Sequence, residues 1–173
     1  VGKVLIEHLA RIPVEVDVAS EFRYRNPIAD ENTVVLAISQ SGETADTLAA
    51  MEEARSKGTK LWSIVNAIGT QAMRIADGYI SMQTGPEIGV ASTKAFTAPI
   101  VDLYMLAILL GEYRESLDEI QRKRAVADLR FIPDLVGQCL DREPQIIQIA
   151  KVLKNTRNCL YLGRGINMPI AFE

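Results

Sequence analysis

A chain of 173 residues with 48% hydrophobic and 24% charged positions is large enough for one well-buried core and too apolar for a disordered tract. Its 19 basic residues against 22 acidic ones leave a formal net charge of -3, which excludes the electrostatic footprint of a nucleic-acid binder. Two cysteines, Cys139 and Cys159, lie in no CxxC and no metal-ligand spacing; with the single His8 they exclude a zinc site and fit a reducing, cytoplasmic compartment.

The chain opens on "VGKV", with neither an initiator Met nor the tripartite pattern of a signal peptide, and reads as an excerpt of something longer. In "VGKVLIEHLARIP" the apolar residues recur at helical spacing, so His8 has a structural or solvent-facing role. Short β-branched runs then alternate with helical patterns: "VEVDV" (14 to 18), "VVLAIS" (34 to 39), "LWSIV" (61 to 65), "YISM" (79 to 82) and "CLYLG" (159 to 163). That alternation predicts a parallel sheet covered by helices.

Between the second and third runs, "ETADTLAAMEEARSKG" places Ala45, Leu48 and Ala49 on one face, acids near its start, Lys57 near its end and Gly58 beyond it. This is the pattern of a helix oriented to suit its own dipole. The loop "QTGPEIG" leads into "VASTKAFTAPIVDLYMLAILLG", which reads as an almost wholly buried helix bent or bounded at Pro99. Its longest apolar run is interrupted by Asp102 and falls short of the roughly 18 residues of a membrane span. From Glu112 to Leu140 the pattern is amphipathic and broken at Pro133; the basic cluster "QRKRAVADLR" fits the wet face of such a helix. "REPQIIQIAKVLKNTRN" supplies one more helix, and "CLYLGRGINMPIAFE" has the form of a strand, a glycine turn and a helix start.

The candidate chemistry lies in "SQSGET", where an apolar strand gives way to Ser39, Gln40, Ser41, Gly42 and Thr44. Two readings of these residues stand side by side. Ser and Thr cap helices and Gly turns corners. A hydroxyl-rich turn beyond the carboxyl end of a central strand, opening onto a helix N-terminus, is also a cradle for an anion. No lysine sits in it and GxxxxGK[ST] is absent, so nucleoside triphosphate chemistry is not indicated. "GRGINM" lacks the third glycine of a dinucleotide fingerprint, which sets NAD and FAD aside, and no cofactor is expected.

"SQSGETADTL", followed after the next strand and loop by "GPEIGVASTKAF", resembles the sugar isomerase (SIS) family, and within it the isomerase domains of the glutamine:fructose-6-phosphate amidotransferases. The likeness runs from "IPVEVDVASEFRYR" to "LGRGINMPIAFE". It implies a three-layer α/β/α fold with a mostly parallel, flavodoxin-like sheet of about five strands. It implies further that Ser39, Gln40, Ser41 and Thr44 hold the phosphate of a hexose phosphate, while Ser92 and the backbone at Val90 reach the sugar hydroxyls. Of the acidic and basic residues that carry proton transfer in the family, only Glu173, in "PIAFE", has a counterpart here.

Several expectations follow from that resemblance. Residues 1–140 form a first sugar-phosphate-binding domain, and residues 141–173 a connecting helix with the opening strand of a truncated second repeat. The glutaminase domain, the family's first strand with its "GTS" loop and most of the second repeat are missing, so the chain binds a hexose 6-phosphate without turning it over. Pairing into a homodimer is implied, with no nucleic-acid or membrane partner. The competing assignments are a sugar-phosphate sensing module of a regulator and another SIS enzyme such as a deglycase; "EIGVASTKAF" favours the amidotransferase. Finally, "CLYLGRGINMPI" matches in form the missing first strand, which predicts Tyr161 and Leu162 on a central strand beside Leu36 and Ile38.

Overall fold

The structure, a computed structural model, describes residues 1–173. Its elements in chain order are α1 (Gly2–Leu9), α2 (Ala19–Phe22), β1 (Val34–Ser39), α3 (Ala45–Ser56), β2 (Lys60–Val65), α4 (Gln71–Ile75), β3 (Gly78–Ser81), α5 (Lys94–Tyr113), α6 (Glu119–Leu129), α7 (Ile132–Leu140), α8 (Glu143–Leu153), a short 3-10 turn (Gly165–Asn167) and α9 (Met168–Phe172). They divide into two compact units, Pro13–Leu106 and a second made of Val1–Ile12 with Ala107–Glu173.

In the first unit the β-branched runs at 34–39 and 60–65 pair in parallel, Val34 opposite Lys60 through Ser39 opposite Val65, and β3 adds to β2 from Trp62 opposite Gly78 to Val65 opposite Ser81. The order is β1-β2-β3. β2 is the central strand, and Leu61, Ser63, Ile64 and Val65 are wholly buried, as expected of a parallel strand covered on both faces. One face carries Leu61 and Val65 into a cluster with Met51 and Ala54 of α3 and Ala72 of α4, joined by Val35 and Ala37. The buried face of α3 is thus centred on Ala50, Met51 and Ala54 with Leu48 half-buried, whereas Ala45 is exposed. On the other face the ring of Trp62 lies over Gly78, where an added Cβ would come within 2.9 Å of it. Asp77 joins the strand starts, its N–H donating to Leu61 O at 2.7 Å and its carboxylate accepting the Leu61 N–H at 2.9 Å.

The α/β class and the three-layer arrangement hold, but the strand count is three rather than about five. Residues 14–18 form no ladder; Glu15 and Asp17 instead bind the Arg25 guanidinium at 3.2 and 2.7 Å. Residues 159–163 belong to no sheet, and Leu160, Tyr161 and Leu162 are 90%, 77% and 90% exposed. They pair with neither Leu36 nor Ile38, and β1 has β2 as its sole strand neighbour. The physical reason is common to both segments: alternation creates a surface suited to pairing, while a strand exists only where a neighbour supplies the ladder.

α5 runs unbroken through Pro99, so no boundary falls there. It is the one helix long and apolar enough to cross a membrane by length and composition, at 20 residues, a property the interrupted apolar run did not suggest. Asp102 within it is only 7% exposed, its Oδ2 has no hydrogen-bond partner, and burial raises its pKa above the ordinary carboxylate range.

In the second unit the Ser116 hydroxyl donates to Leu9 O at 2.6 Å, and Gly111 permits that approach, since a Cβ there would stand 2.9 Å from the same carbonyl. Asp118 and Gln121 form a reciprocal capping box at the start of α6, with bonds of 2.7 and 3.0 Å. Pro133 and Pro144 occupy the first turns of α7 and α8, where the missing N–H leaves no helix bond unmade. Neither α7, α8 nor α9 contains a buried residue.

Candidate functional site

Because all three strands are parallel, their carboxyl ends lie at one end of the sheet, and the loops after β1, β2 and β3 emerge together there. The first is the turn from Ser39 to Thr44. Gly42 takes φ +66°, a conformation costly for any residue with a Cβ, and an added Cβ would stand 2.3 Å from Thr70 Oγ1. The buried Ser39 hydroxyl accepts the Gly42 N–H at 3.0 Å, Ser41 Oγ accepts the Glu43 N–H at 3.2 Å, and the Ser41 and Thr44 hydroxyls meet at 3.3 Å. Thr44 is the N-cap residue of α3, yet no side chain caps that helix. Capping is therefore not what the hydroxyls do here, and the first N–H groups of α3 stay open beside Ser41 and Thr44.

The second loop holds the first in place. Gln40 O accepts the N–H groups of Asn66 and Ala67 at 3.2 Å each, and Gly42 O accepts that of Ala72 at 3.1 Å. A Glu43 carboxylate oxygen accepts the Gln71 N–H at 2.7 Å, capping α4 from outside. Thr70 Oγ1, packed against Gly42, is buried without a partner.

The third loop, residues 82–93, begins at a turn in which Gly85 has φ +67°. Asn66 Oδ1 accepts the Thr84 N–H at 3.1 Å and its hydroxyl at 2.9 Å, while Asn66 Nδ2 donates to Gly85 O at 2.6 Å. At the far end the Glu87 carboxylate accepts the N–H of Ala95 at 2.9 Å, the N–H of Thr93 at 3.3 Å and the Thr93 hydroxyl at 3.1 Å. These donors, the Ala95 N–H foremost, hold its pKa below the ordinary range. Between those two fastenings Val90 and Ser92 are exposed.

Of the residues singled out in the sequence, the structure gathers Ser39, Gln40, Ser41 and Thr44 into one turn and sets Val90 and Ser92 in the loop after β3. Glu173 belongs to the second unit, exposed, just beyond α9. Asn66, Thr70, Glu87 and the carboxylate of Glu43 carry no such expectation from the sequence. The available signals were a polar residue directly ending the apolar run "LWSIV" and a lone carboxylate inside a glycine-bounded loop.

Residues 1–109 match the SIS domain family. Over all 173 residues the chain is 50% identical to the glutamine–fructose-6-phosphate aminotransferase (isomerizing) of Chlorobaculum tepidum and 48% identical to that of Bacteroides thetaiotaomicron, and it spans 28% of the length of each. Among solved structures, the C-terminal domain of the glucosamine-fructose-6-phosphate aminotransferase of Francisella tularensis superposes with a TM-score of 0.95 at 34% identity, across 98% of this chain and 48% of that one.

Proposed function

The chain belongs to the SIS domain family, and from that premise we propose that it is the sugar-phosphate-binding part of the isomerase region of a glutamine–fructose-6-phosphate aminotransferase. The observation that carries the reading is the turn from Ser39 to Thr44. It presents hydroxyls and open helix N–H groups at the carboxyl end of the sheet, in a chain half identical to such an enzyme along its full length. Ser39, Gln40, Ser41 and Thr44 hold the phosphate; Ser92 and the Val90 backbone meet the sugar hydroxyls.

In the whole enzyme, ammonia from glutamine condenses with the C2 carbonyl of fructose 6-phosphate, water leaves as the imine forms, and a proton then moves from C1 to C2 to give glucosamine 6-phosphate. Glu173 is the acid this chain contributes to that transfer. A single carboxylate does not complete the step, so the part of the reaction these residues carry is the binding of the sugar phosphate. Residues 1–140 act as the binding domain and residues 141–173 as the opening of a second repeat. The exposed apolar positions of α5, Met105 and Leu109, support pairing of two copies.

Calorimetric titration with fructose 6-phosphate, glucose 6-phosphate and fructose tests the reading. Both phosphates are expected to bind, fructose far more weakly, and Ser41→Ala with Thr44→Ala to lower phosphate-ester affinity by about a hundredfold or more, two hydrogen bonds to an anion contributing about 1.5–3 kcal/mol each. Equal binding of fructose and its phosphate would defeat it.

A further inference from the structure

The two loops that the proposed function assigns to the two ends of one ligand are joined through a single residue. Asn66 follows β2 directly, and its backbone and side chain act in opposite directions. The backbone N–H reaches the first loop at Gln40 O, 3.2 Å away. Its side chain reaches the third loop through Thr84 and Gly85, with bonds of 3.1, 2.9 and 2.6 Å. The amide orientation is fixed by its partners: the Thr84 N–H can only donate and the Gly85 carbonyl can only accept, so Oδ1 must face the one and Nδ2 the other.

We propose that Asn66 is the positioning residue that sets the spacing between the phosphate loop and the sugar loop, and so selects a phosphate ester whose hydroxyls lie at one reach from its phosphate. The inference rests on the reading of the two loops given above. A carboxamide is the group that fits. Aspartate keeps the acceptor for Thr84 but turns an oxygen toward the Gly85 carbonyl, and alanine releases the third loop while leaving the backbone bond to Gln40 intact. Gly85, at φ +67°, transmits the fastening into the chain that runs on to Glu87, whose bonds to Thr93 and Ala95 close the segment carrying Val90 and Ser92. The sugar loop is thus held at one base by Asn66 and at the other by its own carboxylate.

Inorganic phosphate and fructose 6-phosphate, titrated in parallel into wild type, Asn66→Ala and Asn66→Asp, separate this role from general destabilisation. Inorganic phosphate affinity is expected to stay within about twofold in all three, because the bond to Gln40 is a backbone bond. Fructose 6-phosphate affinity is expected to fall about tenfold in both variants, through loss of the bonds to Thr84 and Gly85 in Asn66→Ala and of the bond to the Gly85 carbonyl in Asn66→Asp. Amide exchange in the ligand-free protein supplies a second readout: the Thr84 N–H exchanges faster in Asn66→Ala and keeps its protection in Asn66→Asp. Equal loss of both ligands, or fructose 6-phosphate affinity and Thr84 exchange unchanged in Asn66→Ala, overturns the proposal. A wild-type chain that binds neither ligand defeats the reading of the loops and this inference with it, whereas wild-type binding retained in Asn66→Ala defeats only the role of Asn66.

Discussion

In the loops after β1, β2 and β3, polar groups pair within the same unit, from Gln40 with Asn66 to Glu87 with Ala95, with Thr70 Oγ1 the buried exception. Along α7, α8 and α9 the chain does the reverse: no residue is buried, and Leu140, Val152 and Phe172 are 71%, 80% and 82% exposed. The first region takes its geometry from its own contacts, so its chemistry is testable on this chain. The helical region has amphipathic helices with well-formed starts at Pro133 and Pro144, and their apolar residues stay exposed.

Substituting glycine by alanine separates the two regions by the largest margin. At Gly42 the new methyl must adopt φ +66° and meets Thr70 Oγ1 at 2.3 Å. Left-handed strain and overpacking together are expected to cost about 2–4 kcal/mol in a urea titration, with loss of sugar-phosphate binding. At Gly137, inside α7, nothing lies within 4 Å of the new Cβ. There alanine is expected to be neutral or to stabilise by about 0.5–1 kcal/mol through helix propensity alone. Comparable losses at the two sites would mean that α7 is packed after all.

The strands at 34–39, 60–65 and 78–81 were legible because β-branched apolar runs bounded by polar turns carry their own signal. "VEVDV" and "CLYLG" show the same local pattern and form no strand, since pairing depends on a neighbour that a one-dimensional pattern does not contain. The hydroxyls of "SQSGET" were equally plain, being contiguous and placed where a strand meets a helix. Asn66 and Glu87 were not, because their roles are fixed by partners brought close only by folding, such as Gln40, 26 positions before Asn66 in the numbering yet 3.2 Å from its N–H. The helix at 94–113 reads in sequence as almost wholly buried; the structure does bury Asp102 but leaves Met105, Leu109 and Tyr113 exposed.

Asp102 gives the intermediate effect. Its pKa is raised by burial, so the folded state holds the proton more tightly than the unfolded chain. Stability is then fully present below the unfolded carboxylate pKa and declines as pH rises through the raised folded value. Asp102→Leu removes that decline and the unpartnered oxygen, and is expected to stabilise at pH 7 by about 1–3 kcal/mol. The gain should shrink in acid, where wild-type Asp102 is neutral. Thermal melts of both proteins across the acid to neutral range check the sign; a loss of stability at pH 7 would show that Asp102 has a partner in solution.

The smallest effect belongs to Glu87, and it sharpens the contrast because the group is polar, local and self-contained. Its pKa is lowered by donors from Ala95 and Thr93, so the folded state favours the carboxylate, and the fastening it makes is present above the ordinary carboxylate pKa and lost as pH falls through the lowered value. Glutamine in its place can present one oxygen to both N–H groups and donate to the Thr93 hydroxyl, restoring the contacts without a charge that titrates. Exchange at the Ala95 N–H should therefore rise in acid relative to the ordinary pH trend in wild type, follow that trend in Glu87→Gln, and be fast at every pH in Glu87→Ala. Wild type and Glu87→Gln with the same acid profile would mean that the carboxylate charge does not hold the loop, and the segment after β3 would then rest on Asn66 alone.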